Sequence, residues 1–195
     1  MSVTTKERIL EAAEELMLTK SFHSVGLNEI LTAVKVPKGS FYHYFESKEQ
    51  FGVELITHYV GDHTDRLGKF FAARDTTALQ KFADYWSYSI GRITQGECQQ
   101  SCLVAKLGLE VANFSEAMRE VLAAGLKTWR GIFEAAIREG QVDGSIRKDL
   151  IPKDAAAVIQ DTWQGALQRM QVEKSVAALR SAAQFLHSYL AASKY

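Results

Sequence analysis

Proline is scarce in this chain: Pro37 and Pro152 are the only two among 195 residues. A residue that fixes φ and removes a backbone donor therefore interrupts helices at just two places. Cysteine is as scarce, with Cys98 and Cys102 alone. No apolar run approaches ~18 residues, which excludes a membrane-spanning helix. The start, "MSVTTKERIL", lacks the apolar core of an export signal, so a cytoplasmic location with reduced thiols is expected. Net charge is lacking too: Lys and Arg total 23, Asp and Glu total 23. No global field draws nucleic acid to such a chain, and a DNA partner would need locally placed charge. The five histidines, at 23, 43, 58, 63 and 187, are scattered. No cluster of His, Cys, Asp or Glu has metal-ligand spacing, so no metal or other cofactor is expected. Repeats and low-complexity tracts are absent.

What remains is helical in character. The chain is 47% hydrophobic and 24% charged, ordinary for a globular protein and long enough for one good core or two small ones. Ala, Leu, Glu, Lys and Gln are abundant and β-branched residues do not cluster, which predicts an all-α fold. Ile9, Ala13, Leu16 and Met17 keep helical spacing over residues 5–19. Leu27, Ile30, Leu31 and Val34 predict a second, shorter helix that Pro37 stops. Residues 38–45 form a third. Ser47 begins a capping box with Gln50, and a long helix follows with Phe51, Leu55, Tyr59 and Leu67 inward. Further helices are expected over 76–95, over 101–112, from a Ser115 cap to about Glu139 (ended by Gly140 and "VDGS"), after Pro152, and in "VEKSVAALRSAAQFLHSYLAA". The economical division is a small N-terminal helix-turn-helix domain over 1–46 and a larger helical domain over 47–195.

The stretch "VKVPKGSFYHYFESKEQF" crowds Phe41, Tyr42, His43, Tyr44 and Phe45 together. On a helix Phe41 and Phe45 share a face and can bury. Lys38, Tyr42 and His43 then point elsewhere, Ser40 lies near the start, and Gly39 leaves room for another surface to approach. Tyr44 is read as packing. Hydroxyl, imidazole and ammonium groups at a helix start suit phosphates and a DNA groove, and Lys48 can reach a phosphate as well. Residues 1–50 hold six Lys/Arg and seven Asp/Glu, a net of −1. Most of those acids fall on the exposed face of the first helix, and binding is expected to be salt-dependent.

Together with "RILEAAEELMLTKSF" and "LNEILTAVKV", this stretch resembles the TetR family of transcriptional regulators over roughly residues 5–52. The resemblance implies a homodimer that represses by binding double-stranded operator DNA and lets go when its C-terminal domain takes a small-molecule inducer. By position it implies base-edge contacts from Lys38, Gly39 and Ser40, and phosphate or groove contacts from Tyr42, His43 and Lys48. Asn28 matches a position that sometimes reads a base, and Asn pairs with adenine through two hydrogen bonds. One position departs from the pattern: Gly26 stands where the family usually caps the second helix with Thr or Ser, so a hydroxyl contact to phosphate is missing there.

The second informative stretch is "GECQQSCLVAKLGLEVANFSEAM". If Ser101 caps a helix, Cys102 sits at its N-terminus, where the dipole favours a thiolate. Lys106 is four residues on and shares its face. Cys102, Leu103, Lys106, Leu107, Glu110 and Val111 are similar in order to an N-ethylmaleimide-responsive, electrophile-sensing subgroup of the family. That resemblance implies Cys102 as sensor and Lys106 as its modulator. The plain alternative is a small packing residue. Cys98 is read as a resolving partner or as an inert loop residue.

A non-covalent inducer site competes with the thiol. Phe82, Tyr85, Trp86, Met118 and Trp129 are large apolar groups on helices that the family arranges around a cavity. Phe133, Trp163, Leu167 and Met170 extend the set, and such walls suit a hydrophobic ligand. The last two helices, rich in Ala, are the expected dimer surface. A thiol enzyme built on Cys102 is the remote alternative, lacking a nearby histidine and an oxyanion-hole loop. A scaffold that has lost DNA binding rests only on Gly26 and the acidic first helix.

Overall fold

A computed structural model of the chain describes residues 4–72, 75–95 and 103–192. Thr4 and Glu7 open the first helix, α1 (Thr5–Thr19), with a reciprocal capping box. The Thr4 N–H donates to Glu7 Oε2 at 2.6 Å and the Glu7 N–H to Thr4 Oγ1 at 3.2 Å, which satisfies two orphan donors at once. Ile9, Leu10, Ala13 and Met17 form its buried stripe. Next comes α2 (Leu27–Ala33), capped by the backbone of Gly26 without a side-chain bond. The turn after it places Lys35 at φ 56. Arg8 of α1 pins that turn, its guanidinium donating to the Val34 carbonyl at 2.8 Å.

The predicted third helix is split. Lys38–Ser40 is a single 3₁₀ turn, and only Phe41–Tyr44 is α-helical (α3). Pro37 sets the entry, and Phe45 is already extended. Ser47 caps α4 (Lys48–Ala72), with the Gln50 N–H donating to its Oγ at 3.0 Å. The return bond goes to the Glu46 N–H, 2.6 Å from Gln50 Oε1, one residue earlier than a standard capping box requires.

The later helices are α5 (Ala78–Thr94), α6 (Leu103–Val111), α7 (Glu116–Asp143), α8 (Pro152–Glu173) and α9 (Ala177–Leu190). As expected, Ser115 caps α7, accepting from the Met118 N–H at 3.2 Å. The end of α7 differs from expectation: the helix runs through Gly140 to Asp143. Gly140 is a packing position, since a Cβ there would overlap the side chain of Ile146, which is fully buried. Termination falls to Gly144 at φ 79, a conformation that favours glycine. Pro152 occupies the first turn of α8, where its missing N–H costs nothing.

The described residues fall into two compact units, 4–63 with 103–125 and 64–72, 75–95 with 126–192. In the first, α1 packs on α2 and α6, and Phe41, Phe45 and Phe51 form a buried cluster whose ring centroids lie 5.0 to 5.4 Å apart. In the second, α9 packs on α8 and α5. An antiparallel bridge between Ile146 and Ala191 ties the end of α9 to the loop after α7. That loop also caps α5. The Ala78 N–H donates to Asp143 Oδ2 at 2.8 Å and the Leu79 N–H to Ser145 Oγ at 3.2 Å. Burial pushes the Asp143 carboxyl upward, but hydrogen bonds from Ser145 and Ala78, with the Lys81 charge, outweigh it and hold the pKa below the usual carboxylate value.

Candidate nucleic-acid interface and sensing elements

The aromatic cluster divides by face. Phe41 and Phe45 are 0% and 1% exposed, whereas Tyr42 keeps 63% of its surface. His43 is exposed and Tyr44 half-buried, with their rings 5.2 Å apart edge to face. Lys38 and Gly39 are exposed, Ser40 is half-buried, and no atom lies near where a Gly39 side chain would project. On α2, Asn28 is exposed. The first unit therefore carries Asn28, Lys38, Gly39, Tyr42 and His43 on its surface, above a core that fixes the backbone presenting them. Donors, acceptors and a cation on a short, rigidly seated helix match what base edges and phosphates accept.

Lys48 is exposed but not loose. Its ammonium lies 3.4 Å from the His23 carbonyl and 5.3 Å over the Phe22 ring. Phe22, His23 and Phe114 pack together, the last two rings 4.5 Å apart, and with Lys48, Glu49 and Met118 they line a cavity of about 270 Å3. Met118, expected among the ligand-lining residues, is thus in the first unit and fully buried there.

Cys98 and Cys102 lie outside the described residues. The helix that follows them is described, and it is anchored to α1. Lys106 Nζ donates to the carbonyls of Met17 at 2.7 Å and Lys20 at 2.8 Å. These belong to the end of α1, whose last turn holds no basic residue of its own. A cation from another helix thus meets carbonyls that α1 leaves unpaired. One turn on, Glu110 Oε2 accepts the Phe22 N–H at 2.7 Å. The start of α6 is also held, its Leu103 N–H donating to the Tyr59 hydroxyl at 3.3 Å. The i, i+4 spacing of Lys106 and Glu110 advertised a shared face; only the fold reveals that this face grips α1.

Among the remaining expected ligand-lining residues, Phe82, Tyr85, Trp86, Phe133 and Trp163 are brought together, with Phe71 added. Phe82 lies 5.0 Å from Phe71, 5.7 Å from Trp86 and 6.0 Å from Phe133, and Trp86 lies 6.5 Å from Trp163. Trp129 donates its indole N–H to Thr64 Oγ1 at 2.9 Å. Leu167 is half-buried. Met170 lines a separate cavity of about 220 Å3 with Ile93 and the loop at Lys174. Arg8 and Asp143 were not singled out from sequence, and Glu110 only as part of the resemblance, because each acts on backbone groups distant along the chain.

Comparison with known proteins gives consistent results. Residues 9–55 match the family model described as bacterial regulatory proteins, tetR family, and residues 76–186 match the tetracyclin repressor-like C-terminal domain. The transcriptional repressor NemR of Escherichia coli K12 is 30% identical over 91% of this chain and 89% of its own length. The transcriptional repressor DhaR of Mycobacterium sp. strain GP1 is 29% identical over 87% and 84%. Among solved structures, the reduced form of E. coli NemR superposes with a TM-score of 0.88 at 29% identity, covering 98% of this chain and all of that one. A regulator of the TetR/AcrR family superposes with a TM-score of 0.83 at 38% identity, over 94% and 97%. Among the described residues no helix is long and apolar enough to cross a membrane.

Proposed function

This chain belongs to the TetR family of bacterial transcriptional regulators and acts as a ligand-responsive repressor, and from that premise we propose that its operator contacts come from Asn28, Lys38, Gly39, Ser40, Tyr42, His43 and Lys48. The observation that carries the assignment is the division of the aromatic cluster. Phe41 and Phe45 are wholly buried, while Tyr42 and His43 between them are exposed. Each ring touches one neighbour, Tyr42 on Phe41 and His43 on Tyr44, yet both remain exposed beside a basic, glycine-containing turn, where a groove lined by phosphates accepts them. A half-site reader spans successive major grooves only with a two-fold partner, so the working species is a homodimer, with α8 and α9 as its interface. A DNA-binding regulator of this family works in the cytoplasm, and that is the location proposed for this chain.

Inducer release is proposed to run through α6. Its Lys106 and Glu110 hold the end of α1 and the Phe22 amide, so displacing α6 alters the unit that carries the DNA-binding surface. Cys102 directly precedes this helix. Addition of its thiolate sulfur to an electrophilic alkene carbon, with a proton from water going to the neighbouring carbon, would attach a bulky group to the residue that precedes α6 in sequence. A relative solved in a form described as reduced supports a thiol reading. The alternative is a non-covalent ligand among the aromatic residues of the second unit, with Cys102 structural. No enzymatic activity is assigned.

The test is a titration against the promoter region flanking the gene, with and without N-ethylmaleimide, on wild type and Cys102→Ser. Binding abolished by the reagent only in wild type establishes a thiol-switched repressor. Binding that survives in both moves the trigger to the aromatic cluster. Absence of specific binding by wild type refutes the repressor.

A further inference from the structure

Among the described residues, three buried side-chain polar atoms have no hydrogen-bond partner: Trp86 Nε1 and both amide atoms of Gln160, Nε2 and Oε1. Trp86 is 1% exposed and Gln160 4%. Buried polar groups are almost always paired, because an unmet donor or acceptor forfeits its hydration. The three belong to one region of the second unit. Gln160 stands one turn before Trp163 on the same buried face of α8, and Trp163 faces Trp86 of α5, with ring centroids 6.5 Å apart. Trp163 is buried as well, at 9% exposure, so a ligand reaches these groups only by parting the side chains packed around them. Its other walls are aromatic, supplied by Phe82, Phe71 and Phe133.

We propose that Trp86 and Gln160 are the polar recognition groups of the inducer site, and that the ligand is a neutral, flat, apolar molecule bearing a carboxamide-like group. The assignment rests on the repressor reading above and deepens it. The orphans are two donors and one acceptor. A carboxamide complements them: its oxygen has two lone pairs, for the indole N–H and the Gln160 Nε2–H, and its N–H meets Gln160 Oε1. A carboxylate fits less well. It has no donor for Oε1, and the buried cation on α5, Lys81, is engaged by Glu139 at 2.6 Å. Entering without a counter-charge would leave a buried anion unpaired. The hydrocarbon part of the ligand meets the aromatic walls.

Benzamide is the probe, with benzoate and toluene as controls. All three tryptophans, Trp86, Trp129 and Trp163, lie in this unit, so emission quenching reports binding on the full-length chain. Wild type should bind benzamide saturably and benzoate at least roughly tenfold more weakly. Gln160→Met, matched in length and without an amide, should lose roughly tenfold in benzamide affinity, two hydrogen bonds' worth, while toluene binding stays the same. Trp86→Phe, which keeps a ring but no N–H, provides a second variant and should lose a smaller factor. Failure of wild type to bind benzamide, or equal affinity in wild type and both variants, overturns the proposal. Operator binding is titrated in parallel: if it persists while the benzamide result fails, the ligand assignment falls and the repressor stands, whereas loss of specific operator binding in wild type removes the reading on which the assignment rests.

Discussion

Replacing Lys106 with Met removes the ammonium while keeping the aliphatic stem that covers the side of α6. Two hydrogen bonds are lost, to the Met17 and Lys20 carbonyls, and with them a cation at the end of α1. A charge-assisted bond contributes about 1.5–3 kcal/mol when well buried. Lys106 is only half-buried, so the pair together is placed at the lower end, about 1.5 kcal/mol, and the helix-terminus charge adds about 0.5 kcal/mol. The first unit should therefore lose about 2 kcal/mol, which for a chain of this length corresponds to a fall of roughly 4–8 °C in Tm. The tryptophans are all in the second unit, so fluorescence is the wrong probe. Differential scanning calorimetry, with hydrogen exchange at the Phe22 and Lys20 amides, reports the right region. Lys106→Arg, which retains the donors, should recover most of the loss. In the titration above, Lys106→Met should bind operator in the absence of inducer yet respond less to it, because α6 no longer grips α1. A Tm within about 1 °C of wild type, with unchanged exchange at those amides, refutes the clamp.

Other outcomes follow from the same geometry. Lys38→Ala and His43→Ala should each weaken operator binding while leaving Tm within about 1 °C, since both side chains are exposed; equal affinity in a gel-shift titration removes them from the interface. Asp143 has a folded pKa below its ordinary value, so its stabilisation is full above the unfolded pKa and fades as pH falls through the folded one. Acid denaturation monitored by tryptophan emission should therefore be shallower below about pH 4 in Asp143→Asn than in wild type, and coincident curves would deny it the capping role. Gly140→Ala gains up to about 1 kcal/mol of helix propensity but overpacks buried Ile146 by about 1–3 kcal/mol, so urea unfolding should show a net loss; a stabilised variant would mean that Ile146 yields freely.

The sequence disclosed most of the helices because their signals are local. Ser47 and Ser115 cap within three residues of themselves, and Phe41 with Phe45 declare a face by spacing alone. The split of the third helix was harder to read, because the choice between a 3₁₀ and an α-helical turn after Pro37 depends on how Phe41 seats against Phe51. The end of α7 was misplaced for a related reason. Gly140 looks like a terminator until Ile146, six residues later, is found lying against it. Lys106 was read only by its spacing from Cys102, which lies outside the described residues; its hydrogen bonds to carbonyls 89 and 86 residues back could not be read locally. The orphaned amide of Gln160 has no sequence signature, since a buried Gln and a solvated Gln on α8 look alike until the helices are packed.

The charge balance of the first 50 residues argues against DNA binding only if every carboxylate acts as a free surface anion. Four of the seven do not. Glu7 is spent on the Thr4 amide, and those hydrogen bonds hold its pKa below the ordinary value. Glu14 meets His58 Nδ1 at 2.8 Å. Glu29 pairs with Lys20, and Glu49 accepts from the Ser115 hydroxyl at 2.6 Å. Glu29 is offset by the Lys20 charge, the hydrogen-bonded carboxylates are held in place though they keep their charge, and at physiological ionic strength a surface charge is screened within about 8 Å. Lys38 stands on the turn that precedes the exposed rings, and no acid lies between Lys35 and Phe45 in sequence. A phosphate approaching that turn meets a locally positive segment within a chain of zero net charge. Recognition of the proposed kind would draw its affinity from a few fixed groups rather than from a general field, and the burial of Phe41 and Phe45 fixes the backbone that presents those groups.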